Sequence, residues 1–241
     1  MTKKDVQPAK IVSAAVHSIE LLTQYVSRIR LAPDQSVSFL PGQYLQVVMG
    51  EGDKRPFSIA SESGDSHIEL HIGAAPDNPY ATEVIAKCRQ EGKLDIELPC
   101  GNAFWQSQSG VHNILLAGGT GYSYVRSILF SALKQASDTE AFTLYWGART
   151  KQDLYEFEQL QTLAEQYDNV TFVPVVEKPE ADWSGKTGLV HEAVLADVGQ
   201  FESQRVYVAG RFEMAKVVKG SFIEAGLAAD HLIGDAFAYI D

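Results

Sequence analysis

Apolar and polar residues alternate over short stretches through the first hundred residues. The stretch "KLDIEL" places Leu94, Ile96 and Leu98 on one face with a period of two, which is typical of a strand with one buried face. Similar stretches recur between pieces rich in turn-forming residues, such as "APDQS", "GEGDK" and "ESGDS", which separate strands. Several short strands at this spacing predict an antiparallel β-barrel.

One predicted helix interrupts these strands. Asn78 is a favourable N-cap residue, Pro79 suits the first helical position, and Gly92 follows the end of the pattern. Asn and Pro are preferred at the start of a helix, and Gly is preferred just past its end. We therefore expect a single helix within the barrel region.

The pattern changes from about Val111. The stretch "HNILLA" is continuously apolar, and after the next turn Val125, Ile128, Leu129 and Ala132 fall on one face of a helix, as in an amphipathic helix. Apolar strands then alternate with helical stretches, which predicts a Rossmann-like parallel α/β sheet. We therefore expect two domains, a β-barrel over 1–102 and an α/β domain over 103–241, joined near "GNAFWQSQSG".

The composition narrows the possible functions. The formal net charge is −11, and an acidic surface repels polyanions, so neither nucleic acid nor an anionic membrane is an expected partner. No apolar run approaches the roughly 18 residues that span a bilayer, and "MTKKDVQPAK" lacks the apolar core of a secretory signal. Neither Cys88 and Cys100 nor the six histidines show a metal-binding pattern. We expect a cytoplasmic protein without a metal site.

The segment "GGTG", from Gly118 to Gly121, joins the first apolar strand of the second half to a helix. N–H groups point outward at a helix start, the helix dipole favours anions there, and glycine lets the backbone approach a diphosphate closely. The match to the fingerprint G-x-G-x-x-G is incomplete, because Tyr124 takes the place of the last glycine. The segment predicts either a nucleotide site or a tight turn without a ligand.

Basic residues near other strand ends favour the nucleotide site. Arg126 lies in the first turns of the helix, Arg149 follows a strand in "YWGART", and Gly210 and Arg211 follow another in "YVAGRFEM". Ligands of α/β nucleotide-binding units lie at the carboxyl ends of such strands. A solvated loop arginine is the alternative for Arg149. Together, the three strand ends predict a dinucleotide site.

A second candidate site lies in the predicted barrel, in "KRPFSIAS". Arg55 can contact a phosphate or a ribityl chain, Pro56 fixes its own φ and lacks an N–H, Phe57 can pack, and Ser58 offers a hydroxyl. An apolar wall with one short polar group suits the N5 edge of a flavin ring. An edge strand with a buried Phe57 explains the same residues without a ligand.

These two segments carry a resemblance to a known family. "RPFS" resembles the Arg-x-Tyr/Phe-Ser/Thr flavin motif of the ferredoxin–NADP reductase superfamily, and "GGTGYSYVRS" resembles its pyridine-nucleotide turn. At closer range the chain is similar to the bacterial NAD(P)H:flavin oxidoreductases, which include the flavin reductases of luminous bacteria. Pieces that fit this group extend from "PGQYLQVVM" and "IELHIGA" through "YWGAR" and "YVAGRFEMAK" to "GDAFAYI".

The resemblance implies a role for each matching residue. Ser58 would hydrogen-bond flavin N5, and Asp235 would lie near the nicotinamide, as the two catalytic residues; a turn residue is the alternative for Asp235. The diphosphate of the nucleotide would be held by Gly118, Gly119, Thr120 and Gly121, beside Arg126, Arg149, Gly210 and Arg211. The flavin would be lined by Arg55, Pro56, Phe57, Ser58, His71, Ile72, Gly73 and Phe237.

Two departures from the family pattern bear on the ligands. No Gly-x-x-Ser/Thr segment for the FAD diphosphate stands at "DNPYAT", and Ala209-Gly210-Arg211 replaces the usual Cys-Gly-Pro. The first departure implies that riboflavin, FMN or FAD is an exchangeable substrate rather than a firmly held group. NADPH or NADH would be the hydride donor in the cleft between the domains. The reduced flavin would then serve luciferase, a monooxygenase or ferric iron.

The choice between NADH and NADPH rests on weaker signals. No acidic residue stands at an obvious ribose-binding position after the second parallel strand, and Arg149 can accommodate a 2′-phosphate. We expect that both nucleotides are used, with some preference for NADPH.

Two other functions stay open at this point. One is a reductase with tightly bound FAD that passes electrons to an iron–sulfur or haem partner. The other is a non-catalytic nucleotide-binding subunit, since one fold serves many functions. The presence of both "RPFS" and "GGTG" favours an enzyme, because simple binding does not need two sites.

Overall fold

The computed structural model describes residues 7–135 and 139–240, which form two compact units. The first unit runs to Gln106 and includes Arg126–Ser131, a stretch that the predicted division after residue 102 assigned to the second domain. The second unit comprises Ser107–Val125 and the residues from Ala132 onward. No helix in the described ranges combines the length and the apolar character that a membrane crossing requires.

The first unit is built on a six-stranded antiparallel sheet with the order β4-β3-β6-β1-β2-β5, which confirms the predicted architecture. In β6, Leu94, Ile96 and Leu98 are buried, whereas Lys93 and Asp95 are exposed, as the period of two predicts. The strands are β1 (Lys10–Leu21), β2 (Val26–Pro33), β3 (Tyr44–Gly50), β4 (Asp53–Ser58), β5 (Ile68–Gly73) and β6 (Lys93–Cys100).

The predicted helix of this unit is present as α1 (Pro79–Glu91). Pro79 occupies its first turn, and Gly92 ends it in the left-handed conformation with a φ of 65°. Asn78 stands at the N-cap position, but its side chain makes no capping hydrogen bond. The helix packs on the barrel core through the buried side chains of Ala81, Val84, Ile85 and Cys88.

The second unit is built on a six-stranded parallel sheet with the order β10-β9-β8-β7-β11-β12. Five successive residues of β7 are buried, as expected for a strand covered on both faces. The strands are β7 (His112–Gly118), β8 (Ala141–Ala148), β9 (Val170–Val176), β10 (Lys186–Thr187), β11 (Arg205–Ala209) and β12 (Leu232–Ile233). The helices are α2 (Tyr122–Lys134), α3 (Phe157–Gln166), α4 (Val190–Val198) and α5 (Phe212–Glu224).

The strand order fixes which chain segments meet at the carboxyl edge of the second sheet. β7 lies between β8 and β11, and β12 flanks β11. Because the strands are parallel, their carboxyl ends lie at the same edge. The glycine turn after β7 therefore lies beside the segments that carry Arg149 and Arg211.

Candidate functional site

Strand β4 carries the candidate flavin residues of the first unit. It pairs with β3, so that Tyr44 lies opposite Ser58 and Val47 lies opposite Arg55. Opposite residues of an antiparallel pair point to the same face of the sheet. Ser58 is half-buried, and its hydroxyl makes no hydrogen bond to the described part of the chain. This hydroxyl is free to act as donor or acceptor toward a ligand.

Phe57 and Pro56 differ in exposure. Phe57 is half-buried and packs against the core of the barrel, with its ring centroid 6.4 Å from that of Tyr80. Pro56 is exposed and pairs with Gln46. Phe57 therefore contributes to the core without being fully buried. Contact of either residue with a flavin stays a prediction.

The guanidinium of Arg55 is bound by groups of the first unit. Its Nε and one Nη donate to the two carboxylate oxygens of Asp53 at 3.0 and 2.7 Å. The other Nη donates to the carbonyl of Tyr80 at 2.6 Å, and Glu83 forms an ion pair with the guanidinium at 2.7 Å. The hydrogen bonds to Asp53 and Glu83 raise the pKa of Arg55. Arg55 is thus a charged group that is already paired.

His71 and Ile72 lie in β5 and are buried, and Gly73 ends the strand. The His71 ring contacts the Glu69 carboxylate at 2.9 Å, and Glu69 also pairs with Arg28 at 3.2 Å and Arg30 at 2.9 Å. Because both side chains are buried, any wall that His71 and Ile72 offer to a flavin consists of backbone.

The Glu69 carboxylate carries a shifted pKa. Burial alone would raise that pKa, but the hydrogen bond with His71 and the nearby charges of Arg126 and Arg28 lower it to about 2. Glu69 is therefore ionised throughout the physiological range and holds the β2 and β5 side chains together.

The glycine turn of the second unit is a short 3-10 turn, Gly119–Gly121, between β7 and α2. Gly119 has a φ of +55°, which favours glycine. A Cβ on Gly121 would lie 2.3 Å from the carbonyl oxygen of Ala209. A Cβ on Gly118 would lie 2.9 Å from the Met214 Sδ, which belongs to a flexible side chain. Gly121 therefore has a packing role at the helix start, where a diphosphate can also bind.

The three arginines predicted at this edge have different surroundings. Arg149 is exposed after β8, and Arg211 is exposed at the start of α5. Arg126 instead donates to the carbonyl of Ala60 at 2.9 Å and lies 3.8 Å from the Glu69 carboxylate. Its guanidinium also lies over the Phe130 ring, 4.6 Å from the centroid. Arg149 and Arg211 are thus two exposed cations in the segments that follow β8 and β11.

Asp235 begins a 3-10 turn, Asp235–Tyr239, that follows β12. It is half-buried, and its charge adds to the effect of burial, the larger cause, in raising the pKa of Tyr124 in α2. Gly234 lies against the carbonyl of Val208, and Phe237 packs on the core of the second unit. Asp235 thus lies at the carboxyl edge of the same sheet, whereas the Phe237 ring is committed to packing.

Three tyrosines lie next to predicted site residues, although the sequence did not predict them there: Tyr44, Tyr80 and Tyr124. Tyr44 lies opposite Ser58, but an irregularity in the register between Val48 and Gly50 means that counting outward from the turn at "GEGDK" does not give this pairing. The positions of Tyr80 and Tyr124 depend on how helices pack, and no local sequence pattern signals them.

Comparison with known proteins agrees with this geometry. The family model for an oxidoreductase NAD-binding domain matches residues 115–220, which include the glycine turn, Arg149 and Arg211. An NAD(P)H-flavin reductase of Aliivibrio fischeri is 46% identical over 236 residues, covering 95% of this chain and 99% of the relative. An NAD(P)H-flavin reductase of Vibrio harveyi is 45% identical over 236 residues, with the same coverage.

A solved structure supports the fold. The crystal structure of the Amycolatopsis cytochrome P450 reductase GcoB superposes with a TM-score of 0.86 at 23% identity, covering 95% of this chain and 70% of that one. At this identity the similarity concerns the fold, in agreement with the antiparallel sheet followed by the parallel α/β sheet.

Proposed function

Since the chain belongs to the NAD(P)H-flavin reductase family and is an oxidoreductase, we propose that it transfers hydride from NADPH or NADH to N5 of a free flavin. The observation that carries the proposal is the 46% identity that extends over 99% of a flavin reductase. One hydride and one proton are added to the flavin, and NAD(P)⁺ and dihydroflavin leave. The chemistry belongs to the two small molecules, and the protein binds and orients them.

Ser58 is the group proposed to act at flavin N5. Its hydroxyl is half-exposed and unpaired within the described residues, so it can hydrogen-bond N5 without breaking an internal bond. It can accept or donate as N5 changes its protonation. Tyr44 and Ser58 are both half-buried and lie opposite each other on one face of the sheet, and a flavin ring is proposed to lie against this pair.

The nucleotide is proposed to bind at the carboxyl edge of the second sheet. The glycine turn supplies a helix start with N–H groups free of intrahelical partners, and the close contact of Gly121 with Ala209 holds that start in place. Arg149 and Arg211 are exposed cations there on a chain with a net charge of −11. Asp235 is proposed to lie near the nicotinamide.

We also propose that the bound flavin exchanges with free flavin in solution in each catalytic cycle. FAD binding needs donors for a second phosphate, and α1 is a poor source of them because Pro79 removes one N–H from its first turn. Glu83 adds a negative charge one turn later. The released dihydroflavin is available to luciferase, a monooxygenase or ferric iron.

The test follows reduced nicotinamide absorbance with the purified full chain, with and without added riboflavin, FMN or FAD, after its visible spectrum has been recorded. We expect a nearly colourless protein that oxidises NADPH or NADH only when flavin is added. A yellow protein that retains FAD through gel filtration and needs no added flavin would contradict exchange and favour an electron-transfer reductase. No oxidation under any condition would contradict the enzymatic proposal and favour a nucleotide-binding subunit.

A further inference from the structure

The glycine turn is hydrogen-bonded to a side chain of the neighbouring strand, the indole of Trp146. Trp146 lies in β8, where it pairs with Ala117 of β7, and its Nε1–H donates to the carbonyl of Gly119 at 2.9 Å. Trp146 is completely buried. A buried side chain outside the turn therefore holds the peptide that joins Gly119 to Thr120.

The aromatic neighbours of Trp146 fix the direction of that indole N–H. The Tyr122 ring stacks on the indole, with a centroid distance of 3.9 Å and an interplanar angle of 12°, and the Tyr155 ring meets it edge-on at 4.9 Å. The Tyr122 hydroxyl in turn donates to the buried carboxylate of Glu156 at 2.7 Å. Because close packing restricts the rotation of buried rings, the indole stays aligned with the Gly119 carbonyl.

Gly119 itself contributes little to holding this peptide. It is exposed, and among the described residues beyond its chain neighbours no atom lies within 4 Å of the place that its Cβ would take. Glycine is also conformationally permissive. The Gly119 carbonyl accepts one bond from the backbone N–H of Tyr122, and a carbonyl oxygen can accept two. The indole therefore adds a second constraint on the orientation of the peptide.

The contact with the indole also determines where the next N–H points. In a planar trans peptide such as this one, the C=O and N–H groups point in opposite directions. Since the Gly119 carbonyl points at the buried indole, the Thr120 N–H points away from it, in the turn that leads into α2. N–H groups at such a helix start favour an anion. A diphosphate at the glycine turn would meet an N–H whose direction Trp146 sets.

We infer that Trp146 is a positioning residue for the nucleotide: through the Gly119 carbonyl, its indole N–H holds the Thr120 N–H in the direction that binds the diphosphate of NADPH or NADH. This inference rests on the proposed function, in which the diphosphate binds at the glycine turn. The diphosphate does not react, so a contact with it stabilises the bound substrate and the transition state alike. Loss of the indole N–H is therefore expected to raise KM for the nucleotide and to leave kcat nearly unchanged.

The test compares two substitutions in the full chain that leave all the glycines in place. Trp146→Phe keeps an aromatic ring in the stack and removes the N–H donor. Trp183→Phe is the matched control, because the Trp183 Nε1–H also donates to a backbone carbonyl, that of Lys186, at the same 2.9 Å. This second bond lies in the same unit but beside β10, the strand at the edge of the sheet.

Three measurements separate nucleotide binding from the other properties. Calorimetry gives the Kd of NADP⁺, quenching of flavin fluorescence gives the Kd of riboflavin, and initial rates give kcat and KM for NADPH. We expect Trp146→Phe to raise the KM for NADPH and the Kd of NADP⁺ about tenfold, as for loss of a hydrogen bond to a charged group. The kcat and the Kd of riboflavin should change little, and Trp183→Phe should change none of these constants appreciably.

A measurement on the unsubstituted protein tests the same inference if Trp146→Phe does not fold. The chain has three tryptophans, and the indole N–H signal of Trp146 in a ¹H–¹⁵N NMR spectrum is assigned through its contacts with the Tyr122 and Tyr155 rings. We expect NADP⁺ to shift this signal and to slow its hydrogen exchange, because the ligand holds the turn in place. The Trp183 signal is the internal control and should not move.

Four results would overturn the inference. They are a folded Trp146→Phe variant with the wild-type KM for NADPH and Kd of NADP⁺, a rise in these constants no larger than in Trp183→Phe, an equal rise in the Kd of riboflavin, and a Trp146 signal that NADP⁺ leaves unchanged. A wild type that binds NADP⁺ but does not oxidise NADPH would overturn the proposed function alone, because the Kd values of NADP⁺ still decide the role of Trp146.

Discussion

The two candidate sites are built by different means. In the first unit, polar side chains define the site: Ser58 offers a hydroxyl, Asp53 and Glu83 hold Arg55, and Glu69 joins the strands behind it. In the second unit, the absence of side chains defines it, because the glycine turn fits against β11 only without a Cβ. A side-chain site can therefore be altered without changing the fold, whereas the glycine site cannot.

This difference also determines how strongly a match to a sequence motif indicates a ligand site. Gly121 is required by the Ala209 carbonyl whether or not a nucleotide binds. A glycine motif is thus an ambiguous sign of a ligand. An unpaired Ser58 hydroxyl has no comparable packing role, so a match at Ser58 is the stronger indication of function.

The largest expected effect comes from Gly121→Ala. Its Cβ would lie 2.3 Å from the Ala209 carbonyl oxygen and 2.8 Å from the Gly210 nitrogen, and backbone atoms cannot move aside as a flexible side chain can. We expect a loss of about 3 kcal/mol or more in the free energy of unfolding, together with loss of NAD(P)H oxidation. Chemical denaturation monitored by circular dichroism measures the first.

Gly220→Ala is the matched control for that variant. Gly220 is exposed in α5, and no atom lies within 4 Å of the place that a Cβ would take there. Alanine is the better helix former, so we expect a gain of about 0.5–1 kcal/mol. Equal stability of the Gly121→Ala and Gly220→Ala variants would contradict the close-approach explanation of the turn.

The second-largest expected effect is a loss of folding stability at low pH, through Glu69. The pKa of Glu69 falls from 4.5 to about 2 in the folded state, so folding favours the ionised form. The stability contributed by this shift is fully present above pH 4.5 and is lost as the pH falls toward 2. A shift of this size corresponds to at most about 3 kcal/mol. The measurement is the free energy of unfolding against pH.

Glu69→Gln isolates this carboxylate from the others that titrate in acid. The variant leaves the Arg28, Arg30 and His71 partners in place but removes the titrating group. We expect it to be less stable than the wild type at neutral pH and to lose less stability between pH 4.5 and 2. Parallel curves for the two proteins over that window would show that Glu69 is not the group responsible.

Much of the fold was predictable because its signals are local. The period of two in "KLDIEL" corresponds to the burial of Leu94, Ile96 and Leu98, and the helical spacing of Val125, Ile128 and Leu129 corresponds to buried positions in α2. Such patterns follow from which face of an element meets the core.

The site was less predictable because its partners come from distant parts of the chain. The sequence predicts Arg55 as a ligand contact, but its pairing with Glu83 depends on how α1 packs near β4. Arg126 similarly binds the Ala60 carbonyl and lies near Glu69, far away in sequence. Asn78 shows a smaller failure, because its identity suits an N-cap although its side chain makes no such bond.

The smallest expected effect on the free energy of unfolding, and the most informative one about function, is that of Ser58→Ala. Loss of a hydrogen bond to N5 that strengthens as the hydride arrives should lower kcat about 10- to 100-fold, equivalent to about 1.4–2.7 kcal/mol in the barrier. Because Ser58 has no internal hydrogen-bond partner among the described residues, the free energy of unfolding should change by less than about 0.5 kcal/mol. Ser38→Ala, at an exposed position outside the strands, controls for loss of a hydroxyl.

A Ser58→Ala variant with unchanged kcat would contradict the view that a side chain defines the site of the first unit. A variant that loses kcat but keeps its stability and the Kd of riboflavin would separate chemistry from fold at one residue, which Gly121 does not permit because its substitution disrupts both together.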